Sequence, residues 1–377
     1  MSKKLIKVLT IIMANVLIMA NVTVMAADEK ANNEIVSTEY VNKMIDLPPL
    51  LAGIGSISVK ENLLVNEISV PLYCTFDSQE EALTAISDNP VIQMIQAAYD
   101  YEDISDATWQ QYFNAMHEIF DSAECPAWYT ESNEDIRRLR QFFDIYENKE
   151  QNDEIKSLIN SAMRVSDVLQ NEELLLLLPY ESYLILSQQS SVLNNEKSLA
   201  ASTDLRYNAN DGFTYACQYA VNPNKNDYDY FQKDCTNFVS QILEHSGVQQ
   251  VVYDSEASGW WHKVTSGILG TKHTHSISWV RADTFARYMG VGYTTQNHIS
   301  FTGQIKSNDF IVADFTDDGN WDHMGYASQV SPSLTPEGYH NYRVAQHTSN
   351  YHEWANSSKN NWDNIEGDGG RYGRVRR

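Results

Sequence analysis

The sequence predicts an α+β protein, and three observations carry that expectation. A helix opens at Asp234-Cys235, and apolar residues Phe238, Val239, Ile242 and Leu243 follow at helical spacing until Gly247 ends the run. Three strand-like segments come later, at 309–315, 323–330 and 341–349, bounded by turn clusters at 317–320 and 332–338. The composition also divides near residue 200, from an acidic, helix-rich half with few glycines to a half dense in Gly, Trp, Tyr and His. Helix first and antiparallel sheet after is an α+β layout.

Taken in order, residues 1–27 read as a secretory signal. Lys3, Lys4 and Lys7 precede a largely apolar run that ends at Met25-Ala26-Ala27. Asn15 and Asn21 interrupt the run, which is short for a membrane span, so cleavage and release without a membrane anchor are expected. Residues 28–189 form a mainly helical domain with a few strands before residue 78. Helices are expected at 80–87, 90–99, 106–121, 134–147, 153–170 and 172–187, the last kinked at Pro179. Pro71 confines the strand beginning at Ile68 to an edge. Residues 190–204, rich in Ser and Asn, are the linker, and 205–377 form a second domain that opens with a helix over 207–221.

The formal charge is −23, and losing the three signal lysines deepens it. Such a chain repels nucleic acid and anionic lipid, so neither is an expected partner. The arginines at 371, 374, 376 and 377 read as a solvated tail. Four cysteines in a long chain are too few for a disulfide scaffold; Cys74 and Cys125 could pair, and Cys217 reads as packing. Spaced acids from Asp314 to Asp322 lack the spacing of a calcium loop, and His273 and His275 have no evident third ligand, so neither metal nor other cofactor is expected.

Cys235 is the candidate nucleophile. At a helix start, free N–H groups and the positive end of the dipole favour a thiolate. Asp234 is the expected N-cap. A cysteine nucleophile needs a base, and His323 fits: it opens a strand after a tight turn, with Gly325 and Ala327 on its own face leaving room for the cysteine helix. The base needs an orienting partner from the neighbouring strand. If Val330 and Asn341 close the hairpin, His323 faces Thr348; a one-residue slip brings His347 opposite. His347 is the expected third residue and Asn350 the reserve.

With these residues named, the block Asp234-Cys-Thr-Asn-Phe-Val-Ser-Gln241 and its preceding helix resemble the putative amidase domain family of Gram-positive bacteria, a papain-like group similar to bacterial cell-wall amidopeptidases. Trp260, Trp261, the Ser278-Trp279-Val280 stretch and the Asp-rich turn before His323 resemble that family too. The sequence departs from it at Ser307-Asn308-Asp309, where Gly-Asp is usual. The resemblance covers about residues 205–375 and implies a papain-like fold, with Cys235 and His323 in the catalytic roles. Asp234, Asn237, Trp260, Trp261, Trp279 and Trp321 are then expected at the substrate cleft. The expected protein is a secreted, extracellular or wall-associated cysteine amidohydrolase or peptidase acting on peptides or related amides, peptidoglycan peptides among them. Its rivals are an acyltransferase using the same thiol and a non-catalytic cell-wall binding module.

Overall fold

A computed structural model describes residues 38–375, apart from 122–125, 127, 131, 160–162, 172–173, 175–176, 194–206, 253–255, 257–258 and 268–269. The signal segment, Cys125 and most of the expected linker lie outside the described residues. Among those described, no helix is long and apolar enough to cross a membrane.

The first half is less purely helical than its composition suggests. Strands β1 (Thr38–Ile45), β2 (Ile57–Val65) and β3 (Ile68–Pro71) form an antiparallel sheet in that order, and β4 (Thr75–Phe76) also pairs with β2. Pro71 ends β3 on an edge, where its missing N–H costs no ladder bond. Helices α1 (Gln79–Ile86), α2 (Pro90–Tyr99), α3 (Trp109–Asp121) and α4 (Glu134–Tyr146) follow close to their expected places. The Ser78, Asn89 and Asn133 side chains cap three of them.

The next two differ. A helix expected over 153–170 is instead α5 (Asn148–Leu158), with the short α6 (Val165–Val168) after it. Asn148 and Asn152 explain the early start: they face inward and bond the backbone of Cys74 and Tyr73. Pro179 does not kink α7 (Tyr180–Leu193) but precedes it, its carbonyl accepting the Tyr183 N–H.

In the second half, helices α8 (Ala209–Tyr219) and α9 (Cys235–His245) pack on a six-stranded antiparallel sheet. Between helices and sheet come the hairpin β5 (His262–Gly267) and β6 (Gly270–His275), then α10 (Ile277–Val280) and α11 (Ala282–Met289). The sheet comprises β7 (Val291–Thr295), β8 (Asp309–Asp314), β9 (His323–Leu334), β10 (His340–Gln346), β11 (Tyr351–Trp354) and β12 (Arg371–Val375), ordered β11-β10-β9-β8-β12-β7. The expected arginine tail is therefore an interior strand from residue 371 to 375. Tyr372, Gly373 and Val375 are buried, and a Cβ at Gly373 would meet Val312 and Trp321.

Alternation along the strands divides two cores. Phe310, Val312, Met324, Tyr326 and Ala345 face α9, whereas Ile311, Ala313, Ala327, Tyr342 and Val344 face a second cluster with Trp362 and Tyr372. The cysteine helix thus lies on the Met324/Tyr326 face, not on the Gly325/Ala327 face expected from the sequence. Asn308, which stands where glycine is usual, has φ +75°. Asparagine is among the few residues that tolerate this left-handed conformation, which accounts for the departure.

The halves have separate apolar clusters but share a polar seam. Arg137 holds Asp368 with two bonds, of 2.7 and 3.2 Å, and Gln141 donates to the carbonyls of Phe315 and Asp368. Lys233 pairs with Glu147 at 3.2 Å, and Arg281 reaches the Tyr73 hydroxyl.

Candidate active site

Asp234 occupies the N-cap position of α9 but does not cap it through its side chain. Its carboxylate is spent elsewhere: Oδ1 accepts from the Phe231 N–H and from Asn237 Nδ2, and Oδ2 meets His347 Nδ1 at 2.5 Å. Asn237 also takes the indole N–H of Trp279. These bonds fix the loop entering α9, so Cys235 is its first residue, where the backbone N–H has no intrahelical acceptor.

The Cys235 thiol is buried and meets His323. Burial opposes its ionisation, but the adjacent His323 charge, hydrogen bonds from that ring and from the Met324 backbone, and Thr236 outweigh it, leaving the thiol below its ordinary pKa. His323 starts β9 and lies against Phe315 and Trp362. Its Nε2 is 2.8 Å from Gln346 Oε1, and that same oxygen takes the Trp362 indole N–H at 2.8 Å. An indole nitrogen only donates, so the atom it meets is the amide oxygen. That oxygen requires a hydrogen on His323 Nε2, so Nδ1 is the ring nitrogen left to exchange a proton with the thiol.

Gln346 is the residue that sequence reasoning missed. Near the site Tyr326 faces Ala345, which is the unslipped register in which His323 would face Thr348. Gln346 is then the diagonal neighbour on the histidine's face, within reach of a long side chain. Gly325 makes the arrangement possible, since a Cβ there would stand 2.9 Å from Trp362. The available signal was the glycine-bearing strand facing the end of β10, where Ala345 and Gln346 point to opposite faces.

His347 points to the other face and does not reach His323. Fully buried, it stacks on Phe238 at 3.8 Å, with Nδ1 on Asp234 and Nε2 donating to the Tyr219 carbonyl. It ties α8 to the start of α9. Asn350 bonds the Tyr230 hydroxyl. Among residues expected at the cleft, Trp321 lines the cavity at Cys235, whereas Trp260 and Trp279 stack together in the core at 4.9 Å. Trp261 is buried under Lys263, and Asp234 and Asn237 are the buried braces described above.

The cavity, of about 320 Å³, opens over Cys235 and His323 and takes its walls from both halves. The first half contributes Tyr73, Phe113, Arg140, Asp144 and Glu147 among others; the second contributes Lys233, Asp318, Trp321 and Asp322. Acids of the 314–322 turn fold onto their own backbone: Asp314 accepts from Asp318 and Gly319 N–H groups, and Asp322 from that of Phe315. Burial and crowding push Asp144 up to about 8 and Asp318 to about 6.

Fold and site together define a class: an α+β domain in which a cysteine at a helix start meets a histidine at a strand end. Residues 206–375 match the family model described as Putative amidase domain. The description points to amide-bond hydrolysis. Over 111 residues the chain is 29% identical to the "Uncharacterized protein YhbB" of Bacillus subtilis (strain 168), covering 29% of this chain and 34% of that relative. The match spans about a third of the relative's length. No solved structure matches the chain.

Proposed function

We propose that the protein is a cysteine amidohydrolase, with Cys235 as nucleophile, His323 as general base and acid, and Gln346 as the residue that orients the imidazole. The single observation carrying this reading is the Cys235–His323–Gln346 alignment beneath an open cavity. In the first step His323 Nδ1 takes the thiol proton, and the sulfur attacks the amide carbonyl carbon. The C–N bond then breaks as the imidazolium returns that proton to the leaving amine, leaving a thioester. Water gives a proton to Nδ1 and attacks the thioester, releasing the carboxylic acid and restoring the thiol. The Cys235 N–H, free at the helix start, is positioned to donate to the carbonyl oxygen as it gains charge.

Peptides of the bacterial cell wall are the proposed substrates, and residues 1–27 the proposed export signal; both rest on the sequence. Incubating the protein with peptidoglycan and soluble muropeptides, and weighing the products, tests the function. Hydrolysis appears as a gain of one water across an amide and should vanish in Cys235→Ala. Intact substrate under both conditions overturns the substrate class, and turnover by Cys235→Ala overturns the mechanism.

A further inference from the structure

We propose that the amino-terminal half is the selecting wall of the cleft, and that Asp144 on α4 faces a positively charged group carried by the amide substrate beside its scissile bond. The inference rests on the cysteine mechanism above and goes beyond it by naming a substrate chemistry and a residue outside the amidase domain.

The cavity over Cys235 is the place where substrate must lie, so its charge decides what enters. Five acids line it, Asp144, Glu147, Asp283, Asp318 and Asp322, against the cations Arg140, Lys233 and Arg281. Two of the cations are committed: Lys233 pairs with Glu147, and Arg281 reaches Tyr73 and Asp283. Arg140 lies over the Phe315 ring at 5.5 Å, and Asp283 has Arg287 at 3.0 Å. Asp144, Asp318 and Asp322 join no ion pair among the described residues. Asp144 is held only by a 3.3 Å bond from Thr316, and like Asp318 it is half-buried on the cavity wall. Burial and mutual repulsion raise the pKa values of all three, and an ammonium group entering the cleft would offset that repulsion. An anion entering would meet the same carboxylates at close range. Apolar Tyr73, Phe113 and Trp321 line the same cavity, leaving room for the uncharged part of the substrate.

Charge-tagged thiol reagents test this without a known substrate. The full-length protein is treated with aminoethyl, hydroxyethyl or sulfonatoethyl methanethiosulfonate, each of which forms a disulfide with a thiol and releases methanesulfinate. Modification is then followed at the Cys235 peptide by mass spectrometry. The cationic reagent should outpace the anionic one by roughly tenfold or more, as expected for carboxylates lining a partly desolvated cleft. Asp144→Asn should narrow that ratio several-fold while leaving the neutral reagent's rate within about twofold. Asp318→Asn, read in the same way, serves if Asp144→Asn does not fold. Equal rates for the two charged reagents, or a ratio unmoved by the substitutions, overturns the selecting wall while leaving the nucleophile intact. Failure of Cys235 to react even with the neutral reagent overturns the cysteine mechanism, and the inference with it.

Discussion

His323 opens β9 and His347 follows the last residue of the adjacent β10, and the sheet there gives them opposite work. His323 faces the cavity beside Cys235, its Nε2 fixed on Gln346. His347 faces inward under α9, between the Asp234 carboxylate and the Tyr219 carbonyl. Both of its ring nitrogens meet oxygens, so the ring bridges the Asp234 carboxylate and the Tyr219 carbonyl. One histidine lies beside the thiol, and the other braces the fold. The end of β10 makes the difference: Gln346, its last residue, points to His323, and His347, the next residue, points under α9.

The comparison breaks most plainly at His323. His323→Ala should lower amide turnover by roughly 10²–10⁴-fold, the usual worth of a general base, with little change in melting temperature. Wild-type turnover would leave the imidazole no chemical part. His347→Ala should do the reverse. Stranding the buried Asp234 carboxylate should cost about 3–5 kcal/mol in denaturant unfolding, the range for breaking a buried pair. Turnover per folded molecule should change far less than with His323→Ala. A stable His347→Ala protein with no turnover would return His347 to the catalytic group.

Gln346→Ala sharpens the contrast, since it frees the His323 ring without removing it. A loss of about 10²-fold in turnover is expected from a misplaced base, with the Cys235 alkylation profile altered as well. Iodoacetamide labelling of Cys235 should follow thiolate formation, rising with pH and levelling off below the range of an ordinary thiol. The sign follows from the cause: His323 favours the charged sulfur, so removing the ring should move the midpoint upward. An unchanged midpoint in His323→Ala would mean that the helix start alone activates the thiol.

How much of this was legible beforehand varies with the physics involved. Cys235 and His323 stood out because helix start, apolar spacing and strand opening are local signals. Gln346 did not, since its role depends on a diagonal contact across β9 and β10 and on Trp362 arriving from a later loop through the space at Gly325. The tryptophans misled for a related reason: a donor-only indole that finds a buried acceptor, as Trp260 does at Ser240 and Trp279 at Asn237, packs as core. Strand β12 was hidden because Arg371 and Arg374 alternate with buried Tyr372 and Val375 in a segment that reads as charged. Its hydrogen-bond partners come from β7 and β8, far away in sequence.

The smallest expected effect belongs to Asn350, the reserve candidate for the third role. Its amide donates to Tyr230 at 3.0 Å, and Tyr230 lies edge-on to His347 and beneath Lys225. Asn350 is thus joined through Tyr230 to His347, on the bracing side of the sheet, and not to the reacting atoms. Asn350→Ala should cost about 0.5–1.5 kcal/mol of stability, the worth of an ordinary hydrogen bond, and leave turnover within about twofold. Combining it with His347→Ala tests whether they form one brace. Residues sharing a network should give a combined loss that departs from the sum of the separate ones by about 0.5 kcal/mol or more. Strict additivity would separate Asn350 from that brace, and a severe loss of turnover from Asn350→Ala alone would put it in the orienting role assigned to Gln346.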